Sequence, residues 1–333
     1  ASGGDKPVRL AAINLIGRRG SAENLKALVQ VASDKDAEIA AAAREALINL
    51  PGYDVNDAIV AQLTKADSKS LPIIMELVGQ RRIDAVAPLK KALDDPQKSV
   101  RAAALAALGE TVGPADLPVL IAQVTSPKHA DQAKEAFAAL KAASVRMPDR
   151  DASATAIAEA MQRTPIATKV NLLEILGAMQ GSKSLEAMAA ATQSKEEQLV
   201  DASTRLLGDW MTVDAAPVLL EAAKTAADNK YKIRSLRGYI RFPRQFPMPT
   251  QERVVMCHKA LVSAVRPEEQ KLVLEVLERY PSGDTLRLAA MASKYPEVEK
   301  EAKQVAAAIA NQLGGPSASV PEMLEQAGQK PMQ

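Results

Sequence analysis

Apolar residues recur along this chain three and four positions apart, the spacing that lines one face of a helix. The decad VRAAALAALG at 100–109 carries Val100, Ala103, Ala104, Ala107 and Leu108 on one stripe. Nearly the same decad, VRLAAINLIG, stands at 8–17. Weaker copies keep phase between and beyond them: IAAAAREALI (39–48), SLPIIMELVG (70–79), TKVNLLEILG (168–177) and LVDASTRLLG (199–208). The closing positions 17, 48, 79 and 109 are 31, 31 and 30 apart, and 177 to 208 is 31 again. A fixed period of this size marks a chain built from stacked repeats.

Each period predicts two helices. In the first, a Gly just past the stripe is expected to act as a left-handed cap that ends the helix. The second opens on a capping residue, as Asp116 before Leu117, Leu120 and Ile121, or Asp214 before Val218 and Leu219. Pro72, Pro88, Pro118 and Pro217 fall in first turns, where a missing N–H costs little. This predicts about ten helix pairs, at 6–33, 36–66, 68–94, 97–126, 129–163, 165–194, 196–227, 229–264, 267–294 and an incomplete one from 297. The expected fold is all-α, a right-handed α-solenoid over residues 1–313 as one continuous domain. Its Ala-rich faces let neighbouring helices approach closely. Residues 314–333, with their Gly, Pro and Ser, are expected to be a tail or linker with one helical turn near 321–326. The first repeat shows no polar outer cap, and the chain starts at Ala1 without Met. The expectation is a mature form or a piece of something longer.

The remaining composition narrows the chemistry. Aromatics are 3% of 333 residues, which argues against a sandwich or barrel core. One Cys excludes an internal disulfide and a Cys-rich zinc site, and two His leave little for metal or acid–base work. A net charge of +2 offers no global attraction for nucleic acid or an anionic membrane, and no apolar run is long enough to span one. C-x-x-C-H, H-E-x-x-H, G-x-x-x-x-G-K and G-x-G-x-x-G are all missing. No cofactor is expected.

The pattern VR-x-AA-x-x-x-LG, preceded by a turn such as DDPQKS (94–99), resembles the HEAT repeat, in particular the short variety of phycobilin lyases and bacterial scaffolds. Repeats two, five and nine depart from it by lacking the closing Gly. More narrowly, GDW (208–210), the stretch 222–241 and the stretch 254–282 resemble HEAT segments of large secreted proteins of planctomycetes and Bacteroidetes. That resemblance implies an extracytoplasmic, non-catalytic module of a larger protein and assigns no functional residue. The absence of paired His-Glu ligands sets the chain apart from helical-repeat hydroxylases, whose fold is similar.

Few residues invite a functional reading. Cys257 and His258 are adjacent, so on a helix they point about 100° apart and cannot face one metal together. Cys257 reads as a core residue, His258 as a surface or inter-helix one, and His129 as a residue near a helix start. Trp210, the only Trp, is either a stacking platform or a wedge between two helices of a repeat. The unusual stretch is 230–253, with seven basic residues against Glu252 alone, a net +6. Lys230, Arg234, Arg237 and Arg241 form one basic stripe, Arg244 follows, and Tyr239, Phe242 and Phe246 add aromatic surface. Pro243, Pro247 and Pro249 predict a long, stiff loop. A second insertion, SVRMPDRDA (144–152), is expected to lengthen an interhelical loop.

The basic stripe has three readings: an anion or nucleic-acid contact, a dock for an acidic partner surface, or a solvated face whose arginines pair with neighbouring repeats. First helices usually line the convex side of HEAT stacks, which counts against nucleic acid. The favoured function is a non-enzymatic scaffold that holds a protein partner or a neighbouring domain of its own chain in the groove of its second helices. Two alternatives stand beside it. One is a glycosylase-like nucleic-acid binder using Asp209 and Trp210; the other is a chromophore-lyase accessory protein, suggested by the repeat type.

Overall fold

In a computed structural model the described residues are 5–314, and the expected tail falls outside them except for Gly314. Among the described residues there are nineteen α-helices, four short 3₁₀ turns and no strand. The helices gather into two compact units, residues 1–183 and 184–333. In unit one, α1 (Lys6–Arg19) pairs with α2 (Leu25–Val31), and α3 (Ala37–Asn49) with α4 (Val55–Gln62). Next come α5 (Leu71–Gln80) with α6 (Val86–Ala92), α7 (Lys98–Thr111) with α8 (Leu117–Thr125), α9 (Ala133–Arg146) with α10 (Arg150–Met161), and α11 (Ile166–Met179). The unit boundary falls two residues into α12 (Ser182–Thr192). Unit two continues with α13 (Glu197–Gly208) and α14 (Ala216–Thr225), α15 (Asn229–Gln245) and α16 (Thr250–Ser263), α17 (Pro267–Arg279) and α18 (Gly283–Ala292), then α19 (Glu299–Gln312) alone.

The predicted pairs are therefore present, including the incomplete last one. In each unit the first helix of a pair packs against the first helix of the next, as α1 on α3 and α13 on α15. This is the α-solenoid arrangement expected for HEAT-like pairs. Pro72, Pro118 and Pro217 sit in first turns as predicted.

The closing glycines do a different job from the one expected. Gly17, Gly79, Gly109 and Gly177 lie inside their helices, and Gly208 is the last residue of α13. The only glycines with positive φ among the described residues are Gly52, Gly181 and Gly314. The closing glycines thus do not cap; Gly17, Gly79 and Gly109 instead let the next repeat come close. A Cβ on Gly17 would lie 2.8 Å from the Ala46 Cα, and one on Gly79 3.0 Å from the Ala107 Cα. One on Gly109 would lie 3.0 Å from the Ala139 Cα. In unit two, Gly238 of α15 faces back, and its Cβ would lie 3.2 Å from the Gly208 Cα.

Where the small residue is missing, the seam opens. Ile48 holds the glycine position on α3, α9 has no glycine, and Ile240 occupies the side of α15 turned to α17. The α3–α5, α9–α11 and α15–α17 seams are correspondingly less intimate than those of α1–α3, α5–α7, α7–α9 and α13–α15. An open groove of about 420 Å³ runs along α5 and α7, over Glu76 and Gly79 to Ala103, Ala107 and Glu110, with Arg44 of α3 at its edge. Another of about 420 Å³ lies at the α15–α17 seam.

Two loop expectations are corrected. Residues 144–152 do not lengthen a connection, because α9 runs on to Arg146 and α10 starts at Arg150. The Arg146 guanidinium reaches back to the Gly109 and Val112 carbonyls, 3.2 and 2.9 Å away, and so ties the end of α9 to the end of α7. Likewise Pro243 lies inside α15, leaving only residues 246–249 as loop. Arg253 of α16, buried against the Tyr280 ring at 3.6 Å, donates to the Pro243 and Phe246 carbonyls and closes that helix end.

The glycine rule yields a direct test. Replacing Gly17 with Ala adds ~1 kcal/mol of helix propensity, but overpacking against backbone costs ~1–3 kcal/mol. Gly17→Ala is expected to lower the thermal midpoint. Gly208→Ala, whose Cβ would meet nothing within 4 Å, is expected to hold or raise it in the same circular-dichroism melt.

Candidate functional site

The basic stripe of α15 is largely committed to its own neighbours. Arg234 donates to the Asp201 carbonyl and carboxylate of α13, each at 3.0 Å, and Lys230 meets the same carboxylate at 3.0 Å. The hydrogen bond from Lys230 is the main cause that holds the Asp201 carboxyl below the usual range, with Arg234 adding to it. On the other side, the Arg237 Nε is 2.9 Å from the Glu269 carboxylate at the start of α17. Glu269 has no side-chain exposure and is also clasped by Arg266 at 2.7 Å. Burial alone would raise the Glu269 carboxyl, but hydrogen bonds and charge from Arg266 and Arg237 outweigh it and hold the group low.

Arg241 has a structural task. Its Nη2 donates to the Trp210 carbonyl just past the end of α13. Its guanidinium lies 5.3 Å from the centroids of both the Phe242 and Phe246 rings, which meet edge-to-face at 5.2 Å. Burial lowers its pKa from the ordinary arginine value. Arg81 repeats the arrangement in unit one: from the end of α5 it donates to the Leu47, Ile48 and Leu50 carbonyls at 3.3, 2.6 and 3.1 Å. With Arg146, three arginines each fasten the carbonyl end of the preceding first helix, where a helix presents partial negative charge. Sequence reasoning missed this role. The available signal was an arginine near the end of a first helix, about one period after the carbonyls it caps.

Most of the expected aromatic surface is interior. Trp210 is fully buried, and its indole N–H donates to the Asp214 carboxylate at 3.1 Å. It is therefore the wedge and not a stacking platform, while Asp209 before it is exposed. Asp214, expected as a helix cap, instead accepts from Trp210 and from the Thr212 hydroxyl. Tyr239 and Phe242 are buried as well, and Phe246 is half-buried. Burial pushes the Tyr239 phenol up and the Cys257 thiol up to about 12. Cys257 points into the core of α16 while His258 is half-buried. Among the described residues no group of three or more His, Cys, Asp or Glu side chains could hold a metal ion, and no helix is long and apolar enough to cross a membrane.

What remains available is the α15–α17 groove. Arg237, Arg241, Arg244 and Gln245 line it from α15, with Ile240 between them; Glu268 and Leu272 line it from α17. Arg244 is exposed and only loosely paired, 3.9 Å from Glu275. The site thus brings together three of the expected arginines and leaves Lys230, Arg234, Trp210, Tyr239, Phe242 and Phe246 out of it.

The Arg237–Glu269–Arg266 group makes stability depend on pH. A carboxyl whose folded pKa is depressed contributes stability that is whole above its unfolded pKa and lost as pH falls through the folded one. Melting temperature is therefore expected to drop below pH 4.5. Glu269→Gln is expected to melt lower at neutral pH and to fall less steeply on acidification.

Residues 56–141 match the family model for HEAT repeats. That match lies away from 196–313, where the narrower likeness to secreted proteins was read. No curated protein matches the sequence. Among solved structures, an engineered protein is similar at 17% identity and a TM-score of 0.41, over 98% of this chain and 95% of that one. Human deoxyhypusine hydroxylase in complex with glycerol is similar at 16% and 0.30, over 78% and 96%. The complex of CpcE and CpcF of phycocyanin lyase from Nostoc sp. is similar at 17% and 0.32, over 72% and 94%. The chain carries HEAT repeats over 56–141, and helix pairs of the same build continue on both sides of them.

Proposed function

We propose that this chain is a non-catalytic interaction scaffold and that the α15–α17 groove holds an acidic, partly aliphatic segment of a protein partner or a neighbouring domain. One observation carries the reading. A seam kept open by Ile240 exposes Arg237 and Arg244 on the two sides of an apolar floor formed with Leu272. Carboxylates on a partner would meet the arginine forks, while a short aliphatic side chain would rest on the floor. Glu268, Glu269 and Glu275 stand beside the arginines. That mixture of charge favours a peptide, which can place its own groups between them, over a polyphosphate.

The test uses a fluorescein-labelled peptide that alternates Glu and Leu, with duplex DNA of equal charge as competitor. Binding of the peptide is expected to weaken about tenfold or more in Arg244→Glu, and to weaken with added salt. Circular dichroism should stay unchanged, because Arg244 is exposed. Arg241→Glu is the wrong probe, since it also uncaps α13. Equal peptide binding by Arg244→Glu and the parent, or displacement by DNA alone, would remove the groove from the account.

A further inference from the structure

The two walls of the α15–α17 groove carry the same ladder with opposite charge. On α15, Arg237 and Arg244 are seven residues apart with Ile240 between them. On α17, Glu268 and Glu275 are seven apart with Leu272 between them. Each glutamate follows its arginine by 31 residues, which puts the two ladders level. The contacts agree: Arg244 lies 3.9 Å from Glu275, and Arg237 lies 2.9 Å from Glu269, the residue after Glu268. The groove therefore has a basic wall, an acidic wall and one aliphatic level midway along both.

All four charged side chains of the ladders remain open to a partner. Arg237 is 52% exposed, Arg244 47%, and Glu268 and Glu275 59% each. Their pairing across the seam is partial, so a third surface can still meet both signs.

The spacing selects the conformation of that surface. Seven residues of helix rise about 10.5 Å. An extended chain repeats its same-face side chains every ~6.7 Å, so one step falls short of the ladder and two overshoot it. A helix laid along the groove repeats in register with both walls. The charges then select its sequence. A segment acidic on every side would set like charge against Glu268 and Glu275, which is unfavourable. A helix with one acidic flank, one basic flank and an aliphatic ridge between them meets both walls and the level of Ile240 and Leu272.

Resting on the groove reading above, we propose that the occupant is an amphipathic helix of a protein partner with heptad spacing. Its acids at i and i+7 face Arg237 and Arg244, its bases at i−2 and i+5 face Glu268 and Glu275, and aliphatic residues at i+1 and i+4 form the ridge.

The test follows the fluorescence anisotropy of labelled three-heptad peptides, held at nanomolar concentration, as the full chain is added. The helix with two opposite flanks is expected to bind about tenfold or more tighter than three controls. These are a helix acidic on both flanks, the alternating Glu–Leu peptide, and the two-flank sequence with a central proline. Glu275→Lys then changes one wall at an exposed position, with the parent's circular dichroism expected. In this variant the two-flank helix is expected to weaken about fivefold and the doubly acidic helix to tighten by a similar factor. A two-flank helix that binds no tighter than any one of the controls overturns the helical occupant while the groove reading stands. So does a Glu275→Lys chain that weakens both helices alike. Absence of binding by every peptide overturns the groove reading, and this inference with it.

Discussion

At three seams of unit one, successive first helices touch through a glycine against an alanine backbone, and that contact sets the spacing of everything around it. Two helices carrying larger side chains at their crossing stand farther apart. Here the Gly17–Ala46, Gly79–Ala107 and Gly109–Ala139 approaches bring backbone to within van der Waals range. The rows of Leu, Ile and Val on both sides can then close into a dry interior. The crossing also lines up the helix ends. Bases in one first turn meet acids in the next, as Lys6 with Asp36 and Lys271 with Glu301, and arginines reach the carbonyls behind them. Individually such exposed pairs contribute little. The arginine–carbonyl bonds are more sheltered, and a hydrogen bond to a charged group contributes ~1.5–3 kcal/mol.

The period, the pair boundaries and the single-residue phase of the stripes could all be read from the chain. They depend on residues three, four and about thirty-one apart, and those distances are visible in one dimension. The purpose of the closing glycines could not be read that way. A Gly near the end of a stripe fits a helix cap and a helix crossing equally well; what decides is an alanine in the following repeat. Trp210 shows the same limit. Its position after Gly-Asp fits a platform or a wedge, and only the burial of its ring and the bond to Asp214 separate them.

The basic stretch at 230–253 was conspicuous in sequence because seven positive charges stand together. Most of that charge is answered by residues about one period before or after it, as Asp201 answers Arg234 and Glu269 answers Arg237. Composition alone therefore overstates the free charge. The part that stays available is set by an apolar residue, Ile240, which keeps α17 at a distance and leaves a groove between the two helices.

The alternation of glycine and bulky residues along the stripes has a mechanical consequence. Within unit one, α5, α7 and α9 are locked by two glycine crossings in a row, whereas α3, with Ile48 in the glycine place, and α11, facing an α9 without glycine, pack against them less intimately. Such a stack is a stiff block flanked by compliant joints. When this unit is bent or stretched, strain collects at the α3–α5 and α9–α11 joints, while the block, with the groove that runs along α5 and α7, moves as a whole.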